Sequence, residues 1–158
     1  MEILLKSGLP VEIKVKSLLI YEKKGVAIIL LEDSGGKWGL PILAKASEVS
    51  SIEMTLSGKT SARPLSHDLM ASVISSLQGR VLHILIDILE EPLCHGIISL
   101  DIAGREIDLD SRPSDAISLA LRAQVPIYVS PAVINKGAVL YDGQDWSSDL
   151  ESKTRLEN

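Results

Sequence analysis

The stretch Asp108–Leu121, which reads DLDSRPSDAISLAL, contains the change of period that decides the fold. Its first residues alternate between polar and apolar, a pattern typical of a strand with one buried face. Pro113 then suits the first turn of a helix, and the residues after it are apolar over most of the helical circumference. The stretch therefore predicts a strand that runs directly into a deeply packed helix, with polar side chains at the junction.

A similar junction occurs earlier, at Ser61–Asp68 (SARPLSHD). Apolar residues then recur at helical spacing from Leu69 to Leu77, which predicts an amphipathic helix. Ser66 is the expected N-cap and Gly79 the expected end of this helix. Asp68 falls in the first turn, where a negative charge suits the helix dipole.

The remaining elements follow from apolar period and turn residues. We predict strands near 11–16, 26–31, 40–42 and 126–129, a helix over 46–56, an antiparallel meander over 81–110 and one helical turn near 131–135. The expected fold class is α+β, a single compact domain over residues 1–143 with a mixed or antiparallel sheet packed with two to three amphipathic helices. Residues 144–158 lose all periodicity and are expected to form a polar, mobile tail.

Composition restricts the class of protein. Of the 158 residues, 46% are hydrophobic but only 3% aromatic, so the core must be aliphatic. The chain has one cysteine, no apolar run long enough to span a bilayer and no signal-peptide pattern at its start, which together favour the cytoplasm and no membrane partner. The net charge of −5 argues against nucleic-acid binding by bulk electrostatics and requires a local basic site for such a function.

Arg63 and Arg112 each precede a proline and a helix start. A guanidinium binds phosphate or carboxylate through two parallel hydrogen bonds, and helix N-termini attract anions, so one interpretation is a phosphate clamp. The other interpretation is an arginine that holds a neighbouring aspartate while proline fixes the turn. The sequence leaves both open.

Carboxylates cluster around the second junction. Asp108 and Asp110 fall on the same face of the predicted strand, and Asp115 follows at the helix start. Carboxylate oxygens are the ligands that Mg²⁺ prefers, so Asp110 and Asp115 form a candidate metal site. Alternatively, both cap the helix and pair with Arg112, and the spacing matches no dedicated metal motif.

Histidines and the single cysteine offer further candidates. His67 could serve as a general base oriented by Asp68, although adjacent helical residues point about 100° apart. His83 and His95 share one face of the predicted meander, where they are either zinc ligands or part of a solvated or subunit-contact surface. Cys94 falls on the inner face, as a small core residue would.

Four blocks together resemble the bifunctional nuclease family, and they span roughly residues 10–140. The blocks are LPILAKASE (40–48), RPLSHDL (63–69), IDLDSRPSDAISLALR (107–122) and PIYVS (126–130). The resemblance implies an α+β fold, DNase and RNase activity and a homodimer or higher homo-oligomer. The family's recurrent polar positions fall here on Glu48, Arg63, Pro64, His67, Asp68, Asp110, Arg112, Pro113, Ser114 and Asp115.

From these positions we predict a nuclease that hydrolyses phosphodiester bonds in DNA and RNA. The predicted catalytic residues are His67, Asp68, Asp110 and Asp115, and the predicted substrate-binding residues are Arg63, Arg112, Ser114 and Glu48. A divalent metal such as Mg²⁺ would bind Asp110 and Asp115, and no organic cofactor is expected. Two other functions stay open: a non-catalytic oligomeric scaffold or regulator whose Arg-Pro-Asp motifs are structural, and a small-anion or nucleotide-binding domain.

Overall fold

The computed structural model describes residues 8–90 and 93–140, in which eight strands form one sheet. They are β1 (Val11–Tyr21), β2 (Val26–Asp33), β3 (Trp38–Lys45), β4 (Gly79–Glu90), β5 (Leu93–Ile102), β6 (Arg105–Ser111), β7 (Ile127–Val129) and β8 (Val139–Leu140). Their order across the sheet is β6-β5-β4-β7-β1-β2-β3-β8. The β4–β7 pair is parallel and the other pairs are antiparallel, so the predicted mixed sheet is confirmed.

Four α-helices complete the described fold: α1 (Ala46–Leu56), α2 (Ser66–Ser76), α3 (Pro113–Ala123) and α4 (Pro131–Gly137). The α+β class and the single compact domain are therefore confirmed, and α4 is longer than the one turn expected. The tail predicted at 144–158 lies outside the described residues. None of the described helices has the length and hydropathy needed to span a bilayer.

One face of the sheet, here called the helix face, carries the core. Ile84 and Ile98 pair across β4 and β5 on this face and are 0% and 5% exposed. Helix α1 contributes Val49 and Ile52, and α3 contributes Ile117, to the same buried cluster. Because these side chains are aliphatic and almost fully buried, each stabilises the fold by about 1.5–3 kcal/mol.

The opposite face, here called the open face, carries half-buried and polar side chains over β4, β5 and β6, whereas Ile28 and Leu30 of β2 are buried on it. Leu85, Ile97 and Asp110 stand in register across β4, β5 and β6 on this face. His83 lies on it too and makes an edge-to-face contact with Tyr128 of β7, with ring centroids 5.7 Å apart. The four described helices all pack on the helix face, so the open face resembles the solvated side of an antiparallel sheet.

Helix α3 lies very close to β5. A Cβ added to Gly96 would lie 2.6 Å from the Cβ of Ala116 and 3.1 Å from the backbone oxygen of Arg112. Glycine is therefore required for α3 to begin directly above the sheet. The predicted deep packing of this helix is confirmed, since six of its residues are buried: Ser114, Ala116, Ile117, Ser118, Leu119 and Ala120.

Helix α2 forms where it was predicted, but its details differ. It begins at Ser66, so Leu65 and not Ser66 occupies the N-cap position, and Asp68 accepts the Leu65 N–H at 2.8 Å. The helix ends before Gln78, which takes the left-handed conformation at φ 58°, and Gly79 starts β4 instead of closing α2.

The apolar stripe of α2 is mostly exposed, contrary to the expectation for an amphipathic helix. Leu69, Val73 and Leu77 are 59%, 48% and 63% exposed. Ala71 and Ile74 pack against the core, on the side of α2 that contacts α3 and β4. The stripe is covered by nothing in the described part of the chain.

Candidate functional site

The junction between β6 and α3 holds Arg112 in a defined position. β6 ends at Ser111, α3 begins at Pro113, and Arg112 between them has extended backbone angles of φ −70° and ψ 149°. The Ser111 hydroxyl donates to the carbonyl of Gly96 at 2.8 Å, which ties the junction to β5. Pro113 has no N–H to satisfy at the first helical position.

The Arg112 guanidinium is held by two carboxylates and is still 60% exposed. Its Nε and Nη2 donate to Asp115 Oδ2 at 2.6 Å and Oδ1 at 3.1 Å, and its Nη1 donates to Glu48 Oε1 at 2.7 Å. A guanidinium has five N–H donors, so two remain for another acceptor. The hydrogen bond from Arg112 to Asp115 also raises the pKa of Arg112, which keeps the charge on the guanidinium.

Asp115 is bridged to α1 by His67. The His67 Nε2 lies 3.1 Å from Asp115 Oδ1, and the His67 Nδ1 lies 2.9 Å from the Ser51 hydroxyl. Glu48, Ser51, His67, Arg112 and Asp115 thus form one hydrogen-bonded group, here called the Arg112 cluster. It joins α1, α2 and the start of α3.

A second ion pair joins the far end of α3 to α2. Arg122 donates its Nε to Asp68 Oδ1 at 2.5 Å and its Nη1 to the Ser118 carbonyl at 3.2 Å. Asp68 in α2 and Glu48 in α1 play the same local role, because each accepts the backbone N–H of the residue before its helix. The start of α1 is therefore held by Arg112, which lies just before α3, and the start of α2 by Arg122, which lies near the end of α3.

The carboxylates of these ion pairs are stabilised in their charged form. The hydrogen bond from Arg122 lowers the pKa of Asp68, with a second contribution from the Leu65 N–H. Burial raises the pKa of Asp115, but the hydrogen bonds from Arg112 and His67 outweigh burial, so the pKa lies below its usual value.

These shifts predict acid sensitivity. A carboxylate whose folded pKa is depressed contributes stability above its unfolded pKa, 3.8 for Asp, and loses that contribution as the pH falls through the folded pKa. We expect Asp68→Asn to lower the free energy of unfolding at neutral pH but to have little effect below the folded pKa of Asp68, where the aspartic acid is as uncharged as the asparagine. Urea melts across this range measure the difference, and an equal cost at both pH values would contradict the assignment.

The Arg112 cluster lies in a groove of about 800 Å³. Its polar side is lined by Lys45, Ser47, Glu48, Ser50, Ser51, Ser66, His67, Asp110, Ser111, Arg112 and Asp115, and its apolar side by Leu65, Met70, Ile98 and Leu109. This groove is called the Arg112 groove below. It combines a fixed cation, an acid–histidine pair and an apolar floor, an arrangement that suits an anionic ligand with an apolar part.

A sequence model of the bifunctional nuclease domain matches residues 28–142. This range runs from β2 to β8 and contains every side chain of the Arg112 cluster. The chain belongs to the bifunctional nuclease domain family. Two proteins from strains of Mycobacterium tuberculosis, named uncharacterized proteins MT1877 and Rv1829, are each 32% identical to it over 145 residues, which is 92% of this chain and 85% of the relative.

In this bifunctional nuclease domain the two predicted metal ligands lie on opposite faces of the sheet. The carboxylate of Asp110 contacts His95 Nδ1 at 2.6 Å on the open face and is 73% exposed, whereas Asp115 lies with α3 on the helix face. Asp110 also lines the Arg112 groove, near the end of the edge strand β6. Although both residues line this groove, their carboxylates bind different partners in the described part of the chain: His95 for Asp110, and His67 and Arg112 for Asp115.

Two predicted substrate-binding residues lie away from the Arg112 groove. Arg63 is exposed in the loop before α2 and makes no ion pair with any residue in 8–90 or 93–140. Ser114 is 1% exposed and points into the core, where its hydroxyl has no hydrogen-bond partner in the described part of the chain. The two Arg-Pro junctions thus do not converge, and Arg122, not Arg63, is the second arginine of the helix layer.

The acid–histidine pair also differs from the expected one. Asp68, the sequence neighbour of His67, binds Arg122, while Asp115 from 48 residues away binds His67. His83 and His95 do not approach each other, because His83 pairs with Ser99 and His95 with Asp87 at separate points of the β4–β5 ladder. Cys94 packs against the core as predicted, and burial raises the pKa of its thiol.

Sequence reasoning missed Ser51 and Arg122. Both lie in helical stretches that were recognised by the spacing of their apolar residues, which says nothing about polar contacts. Their partners, His67 and Asp68, lie 16 and 54 residues away in sequence. The only local signal was that Ser51 breaks the apolar stripe of α1 between Val49 and Ile52, which are both fully buried.

The acidic residues of this bifunctional nuclease domain are distributed unevenly between the two faces of the sheet. Register places a series of carboxylates from β4, β5 and β6 on the open face: Asp87, Asp101, Glu106, Asp108 and Asp110. The Arg112 groove lies beyond this face, on the side of the helices. The groove itself is lined by the carboxylates Glu48, Asp110 and Asp115 and the cations Lys45 and Arg112, so anion binding there depends on the exposed Arg112 guanidinium and not on a basic surface.

Proposed function

We propose that this protein is a nuclease that hydrolyses phosphodiester bonds in DNA and RNA at the Arg112 groove. The observation that carries the proposal is that the Arg112 guanidinium is held by Asp115 and Glu48 but is still 60% exposed. Two of its N–H groups are available to donate to a bound phosphate. A preorganised cation of this kind is suited to a phosphate, both as a substrate group and as charge develops during hydrolysis. Membership of the bifunctional nuclease domain family supports the same chemistry.

Asp115 is the proposed base, with His67 as its partner. Asp115 shares Arg112 with any bound phosphate, and the negative charge of that phosphate raises the pKa of Asp115, against the lowering by Arg112 and His67. Asp115 then accepts a proton from the attacking water while His67 Nε2 holds its Oδ1. The new bond forms between water oxygen and phosphorus, the bond to the leaving oxygen breaks, and that oxygen takes a proton from groove water. The hydroxide left by that water takes the proton that Asp115 accepted, which restores the carboxylate.

A resident divalent cation does not fit the Arg112 groove well. Both oxygens of Asp115 already accept hydrogen bonds from Arg112 and His67, and Glu48 accepts from Arg112 and from the Lys45 N–H. In the described residues no group of three or more His, Cys, Asp or Glu side chains is arranged for a metal. No step of the proposed reaction is therefore assigned to a metal, and the metal requirement is a variable of the experiment.

Cleavage assays on end-labelled single-stranded DNA and RNA test the proposed function. We expect products with wild-type protein, a loss of products in Asp115→Asn, and residual cleavage in the presence of a chelator, because Arg112 rather than a bound ion supplies the positive charge. Asp101→Asn, which alters an acid on the open face, is the matched control. Equal cleavage by all three proteins would show that another site, or a contaminant, is responsible.

A scaffold function is the second candidate, and a specific observation favours it. The ion pairs of Arg112 and Arg122 join α1, α2 and α3, so they could serve rigidity alone. Exposure separates the two roles, since Arg122 is 11% exposed and suits a structural ion pair, whereas Arg112 is open to ligands. The lone cysteine supports the cytoplasm as the site of either function.

We also propose that the protein forms a homodimer through α2 and β6. Leu69, Val73 and Leu77 on α2 are exposed apolar side chains, and so are Ile107 and Leu109 on the edge strand β6, which are 40% and 46% exposed on the helix face. The stripe on one copy and the uncovered strand on another form the two halves of a self-complementary, twofold interface.

Light scattering measures this association. The wild-type chain of 17.1 kDa is expected at twice that mass, and Val73→Glu is expected as a monomer. Leu43→Glu, which changes a leucine that is 66% exposed on β3, is the matched control and is expected to remain dimeric. A monomeric wild type would contradict the proposal, as would a dimeric Val73→Glu variant.

A further inference from the structure

The Ser51 hydroxyl differs from the other helical hydroxyls near the site in what it contacts. Thr55, Ser57, Ser72 and Ser76 each donate to the carbonyl four residues earlier, which is the usual local partner in a helix. Ser51 is 6% exposed, and its hydroxyl instead lies 2.9 Å from His67 Nδ1. It is therefore committed to a side chain of another helix.

The donor and acceptor roles in this contact follow from Asp115. A carboxylate can only accept hydrogen bonds, so His67 Nε2, 3.1 Å from Asp115 Oδ1, must carry a proton. In the neutral imidazole, Nδ1 then has a lone pair and needs a donor. The Ser51 O–H is the donor that the described structure supplies, and the ring is only 12% exposed to water.

The contacts form one continuous chain from the interior to the groove. With a neutral imidazole, Ser51 donates to His67, His67 donates to Asp115, and Asp115 accepts two hydrogen bonds from Arg112. Rotation of the imidazole, or transfer of its proton to Nδ1, would remove one donor from Asp115 and loosen the carboxylate that fixes Arg112. Loss of the hydrogen bond from the buried Ser51 hydroxyl would therefore change the position of the exposed Arg112 guanidinium, through His67 and Asp115.

We propose that Ser51 is a positioning residue, which holds His67 in its Nε2–H tautomer and so fixes Asp115 and Arg112 for phosphodiester hydrolysis. This role rests on the proposed nuclease function. Ser51 does not contact the substrate in this proposal. It acts through His67, and its loss is expected to affect turnover more than substrate binding.

Two measurements on Ser51→Ala test the proposal. Long-range proton–nitrogen NMR of the His67 ring is expected to show the Nε2–H tautomer in the wild type and a mixture of tautomers in Ser51→Ala. Cleavage of single-stranded DNA and RNA is expected to lose about tenfold in kcat with little change in KM, within the range seen when outer partners of reactive groups are removed. Ser51→Thr, which keeps the hydroxyl, should restore both, and Ser72→Ala is the control for loss of a helical hydroxyl.

The NMR measurement separates this proposal from the proposed function. If the wild type cleaves no nucleic acid, the nuclease function fails, while the His67 tautomer still decides the role of Ser51. An Nδ1–H tautomer in the wild type would overturn the positioning role. So would a spectrum and a kcat that are the same in Ser51→Ala as in the wild type.

Discussion

Replacing Arg112 by alanine is expected to reduce cleavage of DNA and RNA by about a hundredfold or more, the usual cost of removing a preorganised donor from a developing oxyanion. The same change should lower the free energy of unfolding by no more than about 1 kcal/mol, because the guanidinium is 60% exposed and exposed ion pairs contribute little. A large loss of activity with a small loss of stability is the pattern of a ligand-binding arginine. Cleavage kinetics and urea melts on the same preparation measure both quantities.

Arg80→Ala is the matched control for this experiment. Arg80 is 74% exposed and pairs with Asp101 at 3.0 Å, so it resembles Arg112 in exposure and pairing, but its partner lies on the open face. Its loss should leave cleavage unchanged. If Arg112→Ala instead loses about 3–5 kcal/mol of stability, as a broken buried ion pair does, the junction is structural and the scaffold function is favoured.

Replacing Gly96 by alanine is expected to destabilise the fold by about 1–3 kcal/mol, the range for overpacking a core. The added Cβ would lie 2.6 Å from the Cβ of Ala116, 3.0 Å from Ser111 Oγ and 3.1 Å from the Arg112 carbonyl. The Cβ of Ala116 and the carbonyl oxygen of Arg112 are fixed by the backbone and cannot rotate away. The start of α3 must therefore shift, and we expect cleavage to fall with it because Arg112 sits at that start.

Ala116→Gly provides the compensating change for this prediction. Glycine in the helix interior costs about 1 kcal/mol on its own, but it removes the atom closest to the new Cβ. In the Gly96→Ala, Ala116→Gly double variant the two costs should be less than additive. Additive costs in thermal and urea melts would mean that the β5–α3 contact is looser than the structure indicates.

Periodicity was sufficient to predict most of the fold. The alternation in β1 and in the meander marks the buried face through side chains such as Ile84 and Ile98, and the near-continuous apolar surface of α3 marks its burial. These predictions succeeded because the period of a strand or helix is local and the core is aliphatic. The exposure of the apolar stripe of α2 could not be predicted, because it depends on which elements pack against this helix in the folded chain.

The candidate site was predicted less completely, for a related reason. Arg112 and Asp115 are three residues apart, so their ion pair lies within reach of local reasoning. The partner of His67 depends on how α2 packs against α3, which set Asp115 and not Asp68 beside it. Likewise, the distance between Asp110 and Asp115 in sequence does not reveal that the chain passes from the open face to the helix face between them.

The central claim is that Arg112 is the residue that meets the phosphate, and side-chain NMR of the arginine Nε–H groups tests it directly. Titration with a phosphorothioate oligonucleotide that resists hydrolysis should shift the Arg112 signal, which is assigned by its disappearance in Arg112→Ala. The signals of Arg80 and of Arg122, whose side chain is 11% exposed, should move much less. A shift of the exposed Arg63 signal while that of Arg112 stays in place would contradict the account.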